Sequence, residues 1–389
     1  MNSICFICNR YPHVLTPTRH VFVQKLVWAL ADMGVECTVI APVPVNQYLS
    51  SYKTQPYHAI EKSPKGNDIK LYFPQYITYG QKKIFGFGTS RLTTNAFHKV
   101  VRKVWVKEKV DVDVVYGHFL VPAGITAARI GREFKRPAFA AYGEATPRDL
   151  VVYGISRLKK EIDSLAGIVS VSTANKDVLL EKGLKTSEEI RVFPNGIQGD
   201  RFFVKDKLEA RKKFGFKDSD FIISFVGQFN HRKGILRVEE AAKGLEGVKV
   251  AYAGMGKLEP TASNCIFKGP VNPKDMTDFL NASDLFVMPT LNEGCSNAIV
   301  EAISCGLPVV SSNLPFNADI LGEDNAILVD PNNVGEIRKA ILEIKNDPEL
   351  ASRLRIGTLK RAENLTIEGR AQNIKSWMES RIVKKGNLV

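Results

Sequence analysis

The chain has 389 residues, of which 44% are hydrophobic and 24% are charged. This length exceeds what one hydrophobic core usually holds, so we expect two domains of similar size in a soluble globular protein. The formal net charge of +13 favours a protein that binds an anionic partner. It indicates a nucleotide, a phospholipid surface or a nucleic acid as the partner.

Neither a secretory leader nor a membrane-spanning segment is predicted. The first residues lack a basic stretch followed by a long apolar run, and no apolar run reaches the roughly 18 residues that a membrane helix needs. Cys5 and Cys8 would face opposite sides of one strand, so we interpret them as buried thiols rather than a metal or redox pair. We therefore expect a cytoplasmic protein with reduced cysteines.

The first half of the chain alternates short apolar runs with helical patterns, which is typical of a doubly wound α/β domain. We predict helices at 20–33 and 92–109, and strands at 4–8, 35–41, 69–74, 112–116, 137–141, 167–172 and 190–193. Residues 48–66 are polar, and we predict a long irregular loop there. Arg19 follows the first strand and could bind a phosphate or be an ordinary surface arginine.

The helix predicted at 92–109 is strongly basic. It contains Trp105 and several apolar residues, together with the cations Lys99, Arg102, Lys103, Lys107 and Lys109. One interpretation is a helix that lies on an anionic membrane surface with its tryptophan at the interface. The other is an ordinary surface helix with a solvated basic face.

Polar residues follow two predicted strands of this half. His118 ends one strand, and Tyr142 and Glu144 follow the next. The carboxyl ends of parallel strands face the ligand cleft of doubly wound folds, which makes these residues candidates for a site. Asp111 and Asp113 form a D-x-D at the opposite end of their strand, and we interpret them as structural rather than metal-binding.

A first anion site is predicted in the second half. A strand at 221–225 is followed by Gly227, the pair Arg232 and Lys233, and a helix that begins near Leu236. Lysine offers a point charge and arginine a planar fork for phosphate. Further strands are predicted at 248–253, 265–268 and 327–329, and helices at 274–280, 334–344, 350–364 and 368–385.

A βαβ unit between 284 and 311 is the most informative stretch. A strand at 284–288, a turn at 290–296, a helix at 297–304 and a strand at 308–311 are predicted. Glu293 lies in the turn and Glu301 lies in the helix. The backbone amides of Gly294, Cys295, Ser296 and Asn297 would face an anion at the helix N-terminus. Two carboxylates for hydroxyls and amides between them for phosphates would suit a nucleoside-diphosphate sugar.

The pattern E-G-x-S-N-A-x-x-E-A-x-x-C-G-L-P-V-V from Glu293 onward resembles the Glu-x7-Glu signature of the retaining glycosyltransferases of family 4. The resemblance extends over nearly the whole chain. It implies the glycosyltransferase B architecture, in which two doubly wound α/β (Rossmann-like) domains face each other across a cleft. The expected acceptor domain spans 1–198 with a returning helix at 368–389, and the expected nucleotide-sugar domain spans 199–367.

The resemblance also implies roles for single residues. Glu293 and His118 would contact the donor sugar as the catalytic pair, and Glu301 would hold the ribose. The expected nucleotide-sugar ligands are completed by Gly227, Arg232, Lys233, Gly254, Lys268, Gly294, Cys295, Ser296 and Asn297. Gln228 stands where the family has an arginine, so Arg232 is expected to replace that charge. Neither a metal nor another cofactor is expected.

The acceptor side departs from the family. Thr18 and Arg19 stand in a loop that usually carries glycines, and Tyr142 and Glu144 replace parts of a His-Gly-x-Asp motif. Arg19, Tyr142 and Glu144 are the candidate acceptor ligands.

The sequence therefore predicts a hexosyltransferase that uses a UDP-sugar in preference to a GDP-sugar. The acceptor would be a glycan or a lipid-linked glycan in polysaccharide or glycoconjugate synthesis, at the inner face of the cell membrane if the basic helix contacts lipid. A nucleotide-sugar epimerase of similar fold and a non-catalytic binder of an anionic glycan or lipid stay open as alternatives. Nucleic acid is not expected as a partner, because the basic residues are not interleaved with stacking aromatic residues.

Overall fold

A computed structural model describes residues 1–17, 20–48, 53–80, 83–84 and 87–386. The chain forms two units, each with its own core. The first unit consists of Met1–Phe193 and the segment from Ile367 onward, and the second is Pro194–Thr366. The second unit is thus an uninterrupted piece of chain between two parts of the first.

The first unit is built on a sheet of eight strands in the order β12-β11-β10-β9-β1-β2-β5-β4. All neighbours are parallel except β4 and β5. The strands of this unit are β1 (Ser3–Cys8), β2 (Glu36–Ile40), β3 (Val43–Pro44), β4 (His58–Lys62), β5 (Asp68–Tyr72), β6 (Gln75–Tyr76), β7 (Lys83–Ile84), β8 (Phe87–Gly88), β9 (Val114–His118), β10 (Ala138–Tyr142), β11 (Gly167–Ser170) and β12 (Ile190–Val192). The strand order reverses between β1 and β9, which is where doubly wound sheets bind ligands.

Helices cover both faces of this sheet. They are α1 (Val21–Asp32), α2 (Val45–Tyr48), α3 (Ser90–Lys107), α4 (Ile125–Glu133), α5 (Arg148–Tyr153), α6 (Ile155–Ile162) and α7 (Thr173–Glu181), with short turns at Leu120–Gly124 and Ser187–Glu189. Strand β1 is apolar along its length because both of its faces are buried. Cys5 and Ile7 contribute to the core on one face, and Phe6 and Cys8 to the core on the other.

A long C-terminal helix, Ile367–Gly386, completes the first unit. Its apolar stripe, Ala371, Ile374 and Met378, is buried in the core beside β1 and α1. The ring of Trp377 lies 5.7 Å from that of Phe139. The predicted return of the last helix to the N-terminal domain is therefore confirmed.

One prediction for this unit is wrong, and one observation narrows an interpretation that the sequence left open. Residues 48–66 are not wholly irregular, because His58–Lys62 form β4, the antiparallel edge strand. The strand has little apolar character because it lies at the edge of the sheet, where few of its side chains are buried. Trp105 is only 3% exposed and packs against the ring of Phe134. It is part of the core and is not available as an interfacial anchor, although the lysines of α3 are exposed.

The second unit contains six parallel strands in the order β15-β14-β13-β16-β17-β18. These are β13 (Phe221–Val226), β14 (Val248–Ala253), β15 (Cys265–Gly269), β16 (Leu285–Met288), β17 (Val309–Ser312) and β18 (Ala326–Val329). The helices are α8 (Lys207–Phe214), α9 (Ile235–Ala242), α10 (Met276–Asn281), α11 (Asn297–Ser304), α12 (Val334–Asn346) and α13 (Pro348–Ala362), with 3-10 turns at Pro273–Asp275 and Pro315–Asn317. Counted within the unit, the order is 3-2-1-4-5-6, which is that of a dinucleotide-binding domain, and the reversal falls between β13 and β16.

The two ends of the second unit lie side by side. Ile197 pairs with Thr366 in a parallel bridge, and its amide donates to the carbonyl of Leu365 at 2.9 Å. The predicted fold class, α/β with two doubly wound units, is confirmed.

Candidate active site

Two loops of the second unit meet where its strand order reverses. One follows β13 at residues 227–234, and the other follows β16 at 289–296. The amide of Leu291 donates to the carbonyl of Arg232 at 2.8 Å, and Nη2 of Arg237 donates to the carbonyl of Pro289 at 2.8 Å. Gly234 has a φ of +83°, and a Cβ there would lie 2.7 Å from the Pro289 carbonyl oxygen. Only glycine allows this approach.

The cations of the first loop bind the carboxylate of the second. Oε1 of Glu293 lies 2.5 Å from Nη1 of Arg232 and 2.7 Å from Nζ of Lys233. The side chains of Glu293 and Lys233 are 13% and 12% exposed, whereas that of Arg232 is 38% exposed. The structure thus brings together three predicted site residues. Burial of Lys233 and Glu293 makes their pairing stronger than that of surface ions.

Sequence reasoning missed the support beneath Glu293. The hydroxyl of Thr290, which is fully buried, donates to Oε1 of Glu293 at 3.0 Å. The Ser312 hydroxyl donates to the carbonyl of Thr290 at 2.5 Å, and Nδ2 of Asn317 donates to the carbonyl of Ser312 at 2.8 Å. These buried polar groups fix the backbone that carries Glu293. The only signal in the sequence is that hydroxyl residues replace apolar ones at the end of an otherwise apolar strand.

The turn before α11 exposes a helix N-terminus next to this ion cluster. Helix α11 begins at Asn297, as predicted. Ser296 is 3% exposed, and within the described part of the chain its hydroxyl has no hydrogen-bond partner. A buried hydroxyl without a partner is costly, so this atom is suited to a ligand oxygen.

Asn195 holds this turn in place. Its Nδ2 donates to the carbonyl of Cys295 at 3.2 Å and to Oδ1 of Asn297 at 2.9 Å. Asn195 is followed by Gly196, and an Asn-Gly pair by itself is a signal for a turn. The structure adds that the asparagine side chain braces the predicted phosphate-binding turn.

The remaining nucleotide candidates lie on the same sheet edge but not all in one cluster. The amide of Gly227 donates to the carbonyl of Ala253 at 2.9 Å, and that of Gly254 to the carbonyl of Gly269 at 2.8 Å. Glu301 is half-buried in α11. Lys268 differs, because its ammonium pairs with Glu259 at 3.0 Å rather than with Glu293.

His118 ends β9 in the first unit and is 4% exposed. Its ring packs among those of Phe22 and Phe119, and Nδ1 has no hydrogen-bond partner among the described residues. Burial, followed by the positive charges of Arg370 and Arg10, lowers the pKa of His118 to about 3. The imidazole is therefore neutral and can donate one hydrogen bond and accept another.

The predicted acceptor residues fall in different surroundings. Arg19 and Thr18 lie outside the described residues. Tyr142 is 1% exposed and belongs to the core of the first unit. Burial raises the pKa of the Glu144 carboxyl, and Arg10, whose Nη1 is 3.9 Å from Oε1 of Glu144, lowers it in part. Of the described candidates, Tyr142 is therefore a core residue, whereas Glu144 lies beside Arg10.

A polar cavity of about 400 Å³ lies instead at the reversal of the first sheet. Most of its lining comes from the segments after β1 and β2, from β6 and the residues that follow it, and from the start of α3. It includes Arg10, His13, Tyr48, Tyr76 and Thr93. The sequence indicated that the loop after β1 could reach a ligand, but it could not show that segments so far apart in the chain meet there.

The described residues contain neither a membrane-spanning helix nor a cluster of metal ligands. None of their helices is long and apolar enough to cross a membrane. No group of three or more histidine, cysteine or acidic side chains within the same ranges is arranged to hold a metal ion.

Comparison with known proteins adds a match to a family model within the second unit. Residues 206–361 match the sequence model of glycosyl transferases group 1. The chain is 26% identical over 374 residues to the Bacillus subtilis (strain 168) protein called putative teichuronic acid biosynthesis glycosyltransferase TuaC, which covers 90% of this chain and 92% of that protein.

Two solved structures share the fold. Sucrose-phosphate synthase from Thermosynechococcus elongatus has a TM-score of 0.75 and 17% identity, covering 99% of this chain and 100% of that one. The Anabaena protein HepE in complex with UDP has a TM-score of 0.73 and 15% identity, covering 98% of this chain and 100% of that one. The chain thus contains a domain of the glycosyl transferases group 1 type at residues 206–361, within the second unit.

Proposed function

We propose that this chain moves a sugar from a nucleoside-diphosphate sugar to a glycan or lipid-linked glycan acceptor in polysaccharide or glycoconjugate synthesis. The donor is a UDP-sugar in preference to a GDP-sugar, and the anomeric configuration is retained. The relative in teichuronic acid biosynthesis supports the class of product, and the HepE complex with UDP supports the base. Retention rests on the resemblance to family 4.

The observation that carries the proposal is the cluster of Arg232, Lys233 and Glu293 beside the N-terminus of α11. A diphosphate placed there would meet two cations, the backbone amides of the turn and the hydroxyl of Ser296. During transfer the bond from C1 of the sugar to the diphosphate oxygen breaks, a bond from C1 to the acceptor hydroxyl oxygen forms, and the hydroxyl proton passes to the departing diphosphate. Negative charge grows on this leaving group before the proton arrives. Fixed positive groups at that position lower the barrier, and no step of this proposal requires a metal.

Glu293 has a second part in the proposal. In the protein alone its carboxylate is the counter-charge of both cations. A bound diphosphate would take over that role, which leaves Glu293 to accept hydrogen bonds from the sugar hydroxyls near C1. Glu301 would accept hydrogen bonds from the ribose in the same way. The neutral ring of His118 would form a hydrogen bond with a hydroxyl of the donor sugar.

We also propose that the protein contacts an anionic membrane surface, and that the contact is purely electrostatic. Lys99, Lys103 and Lys109 are exposed on or next to α3, while Trp105 is buried in the core. The attraction would therefore be electrostatic, without insertion of an aromatic anchor, and would weaken as salt is added.

The proposal is tested by incubating the full chain with UDP- and GDP-sugars, with and without glycan acceptors, and measuring nucleotide release and the product. We expect turnover of one UDP-sugar that depends on acceptor. Glu293→Gln should lower kcat by roughly 10²–10³-fold, because the variant cannot hold charge at the reacting centre. Lys233→Ala should weaken UDP binding by about 10–100-fold through loss of one charged hydrogen bond.

Glu343→Gln and Lys339→Ala are the matched controls, since both residues are exposed on α12 of the same unit. They should behave like the parent. Conversion of donor without acceptor would instead indicate an epimerase. Parental turnover by Glu293→Gln together with parental UDP binding by Lys233→Ala would show that the assignments are wrong.

A further inference from the structure

The cavity of about 400 Å³ in the first unit has an unusual charge pattern. No aspartate or glutamate lines it among the residues that the structure describes, whereas one arginine, Arg10, does. The other polar lining groups are amides, hydroxyls and imidazoles, including Asn9, His13 and Thr93. A polar cavity of this size matches one or two sugar rings better than an acyl chain.

Arg10 is held in place without being neutralised at close range. Its guanidinium carbon lies 5.2 Å from the centre of the Phe119 ring, and its nearest ion-pair partner in the described ranges is Glu144 at 3.9 Å. By contrast, Arg129 and Arg211 lie 2.5 and 2.6 Å from their carboxylates. The Arg10 side chain is still 41% exposed, so its fork can accept a further anionic partner.

His13 contributes an imidazole ring to the same wall. Its Nε2 lies 3.1 Å from the Thr16 hydroxyl, while Nδ1 is buried and has no partner among the described residues. The ring is packed edge-on against Tyr48, with 5.6 Å between centroids. Burial lowers the pKa of His13, which favours the neutral ring. A neutral imidazole beside an aromatic ring suits a sugar hydroxyl.

We propose that this cavity binds the acceptor through a sugar that carries an anionic group, and that Arg10 selects the anion. The inference rests on the proposed function, because it assigns the acceptor class of that reaction. The anion is a carboxylate of an acidic sugar or a phosphate on the sugar, since both match the arginine fork. Arg10 contacts the ring of the residue that follows His118, so an anion bound to it lies near the predicted catalytic histidine.

The test measures binding to the full chain by calorimetry without donor, using three probes. Methyl glucoside is neutral, methyl glucuronoside differs by a carboxylate at C6, and glucose 1-phosphate carries a phosphate at C1. We expect at least one anionic probe to bind about tenfold or more tightly than the neutral one, as one charged hydrogen-bonding pair provides. Which probe shows the preference identifies the anion.

Arg10→Gln should remove the preference and leave the weak binding of methyl glucoside. Arg10→Lys keeps the positive charge and should keep part of the preference. This variant separates the loss of charge from a loss of the folded structure. Arg157→Gln, at an exposed arginine of α6 in the same unit, should keep the preference fully. Equal binding of the neutral and anionic probes by the parent, or an unchanged preference in Arg10→Gln, would overturn the proposal.

Lys233→Ala separates this proposal from the proposed function. Retention of the preference in that variant places the anion in the first unit, even if no donor is ever turned over. Loss of the preference would show that the probes bind the anion site of the second unit, and the acceptor assignment would be wrong.

Discussion

Glu293 is the residue on which the proposed donor site is centred, and its contacts explain how a carboxylate could lie beside a bound phosphate. Two cations bind one of its oxygens, and Thr290 donates to the same oxygen. A carboxylate so placed orients the ammonium of Lys233 before a ligand arrives. In the proposed reaction it would share its cations with the diphosphate, which would link donor binding to a rearrangement of the ion pairs.

At the scale of single residues, the sequence predicted the candidate site residues that lie close together in one motif. Glu293, Lys233 and the start of α11 were predicted, because the glycine, the charges and the helix pattern are adjacent in the chain. Thr290, Asn195 and Arg10 were missed in their present roles. Their contacts depend on partners such as Ser312, Cys295 and Phe119, which only folding brings near.

His118 leads to a prediction about pH. Burial holds its pKa near about 3 in the folded protein, against about 6.5 in an unfolded chain. The unfolded state therefore binds the extra proton between these values, and the free energy of unfolding should fall as pH decreases below 6.5. The loss is at most about 1.4 kcal/mol per pH unit for one group.

Chemical denaturation at pH 7 and at pH 4.5 measures this loss. The parent should lose roughly 2–3 kcal/mol more than His118→Asn over that range. The exposed His58 provides the control variant His58→Asn, which should follow the parent. Parallel curves for the parent and His118→Asn would contradict the assignment of a neutral buried ring.

At the scale of helices and strands, segments with periodic apolar residues were easier to predict than strands at the edge of a sheet. Helix α11 was predicted at its observed bounds, since apolar residues recur at helical spacing between a polar turn and a glycine. Strand β4 was missed because alternate side chains of an edge strand stay in solvent and its sequence is polar. Trp105 was interpreted in part as a surface residue, although Phe134 covers it; the sequence gives no sign of such a partner.

The C-terminal helix makes a close contact with β11 that can be tested. A Cβ on Gly167 would lie 2.5 Å from Cη2 of Trp377. We expect Gly167→Ala to lower the free energy of unfolding by about 1–3 kcal/mol, because the extra methyl overpacks this contact. Denaturation of the single and double variants measures it.

In a Trp377→Leu background the cost of Gly167→Ala should be smaller by at least about 0.5 kcal/mol, as expected for residues in direct contact. Gly199→Ala is the control, since nothing lies within 4 Å of its added Cβ. Strict additivity of Gly167→Ala and Trp377→Leu would show that the helix does not press on this glycine.

At the scale of the whole molecule, the proposal assigns donor binding to one unit and acceptor binding to the other. The second unit holds the donor cluster, and the first holds His118 and the acceptor cavity. The sequence could predict two doubly wound units, because each repeats the alternation of strands and helices. It could not predict which segments line the cavity of the first, since they come from separate loops.

The second unit should fold when it is expressed alone as residues 194–366. It has a complete six-stranded sheet and its own core, so we expect cooperative unfolding. UDP at about 100 times its Kd should raise the free energy of unfolding by about 2.7 kcal/mol. Thermal denaturation with and without UDP measures this effect.

The same fragment with Lys233→Ala is the control, and it should gain much less at the same UDP concentration. A fragment that is unfolded, or one that UDP does not stabilise, would contradict an independent donor-binding unit.

The bridge between Ile197 and Thr366 has a consequence for how such an enzyme can change its donor. The second unit begins and ends at neighbouring positions. Another unit with similarly spaced ends could therefore replace it without changing the path of the chain in the first unit. Recombination at these two positions is therefore a route to chimaeras that pair one acceptor specificity with a different activated sugar.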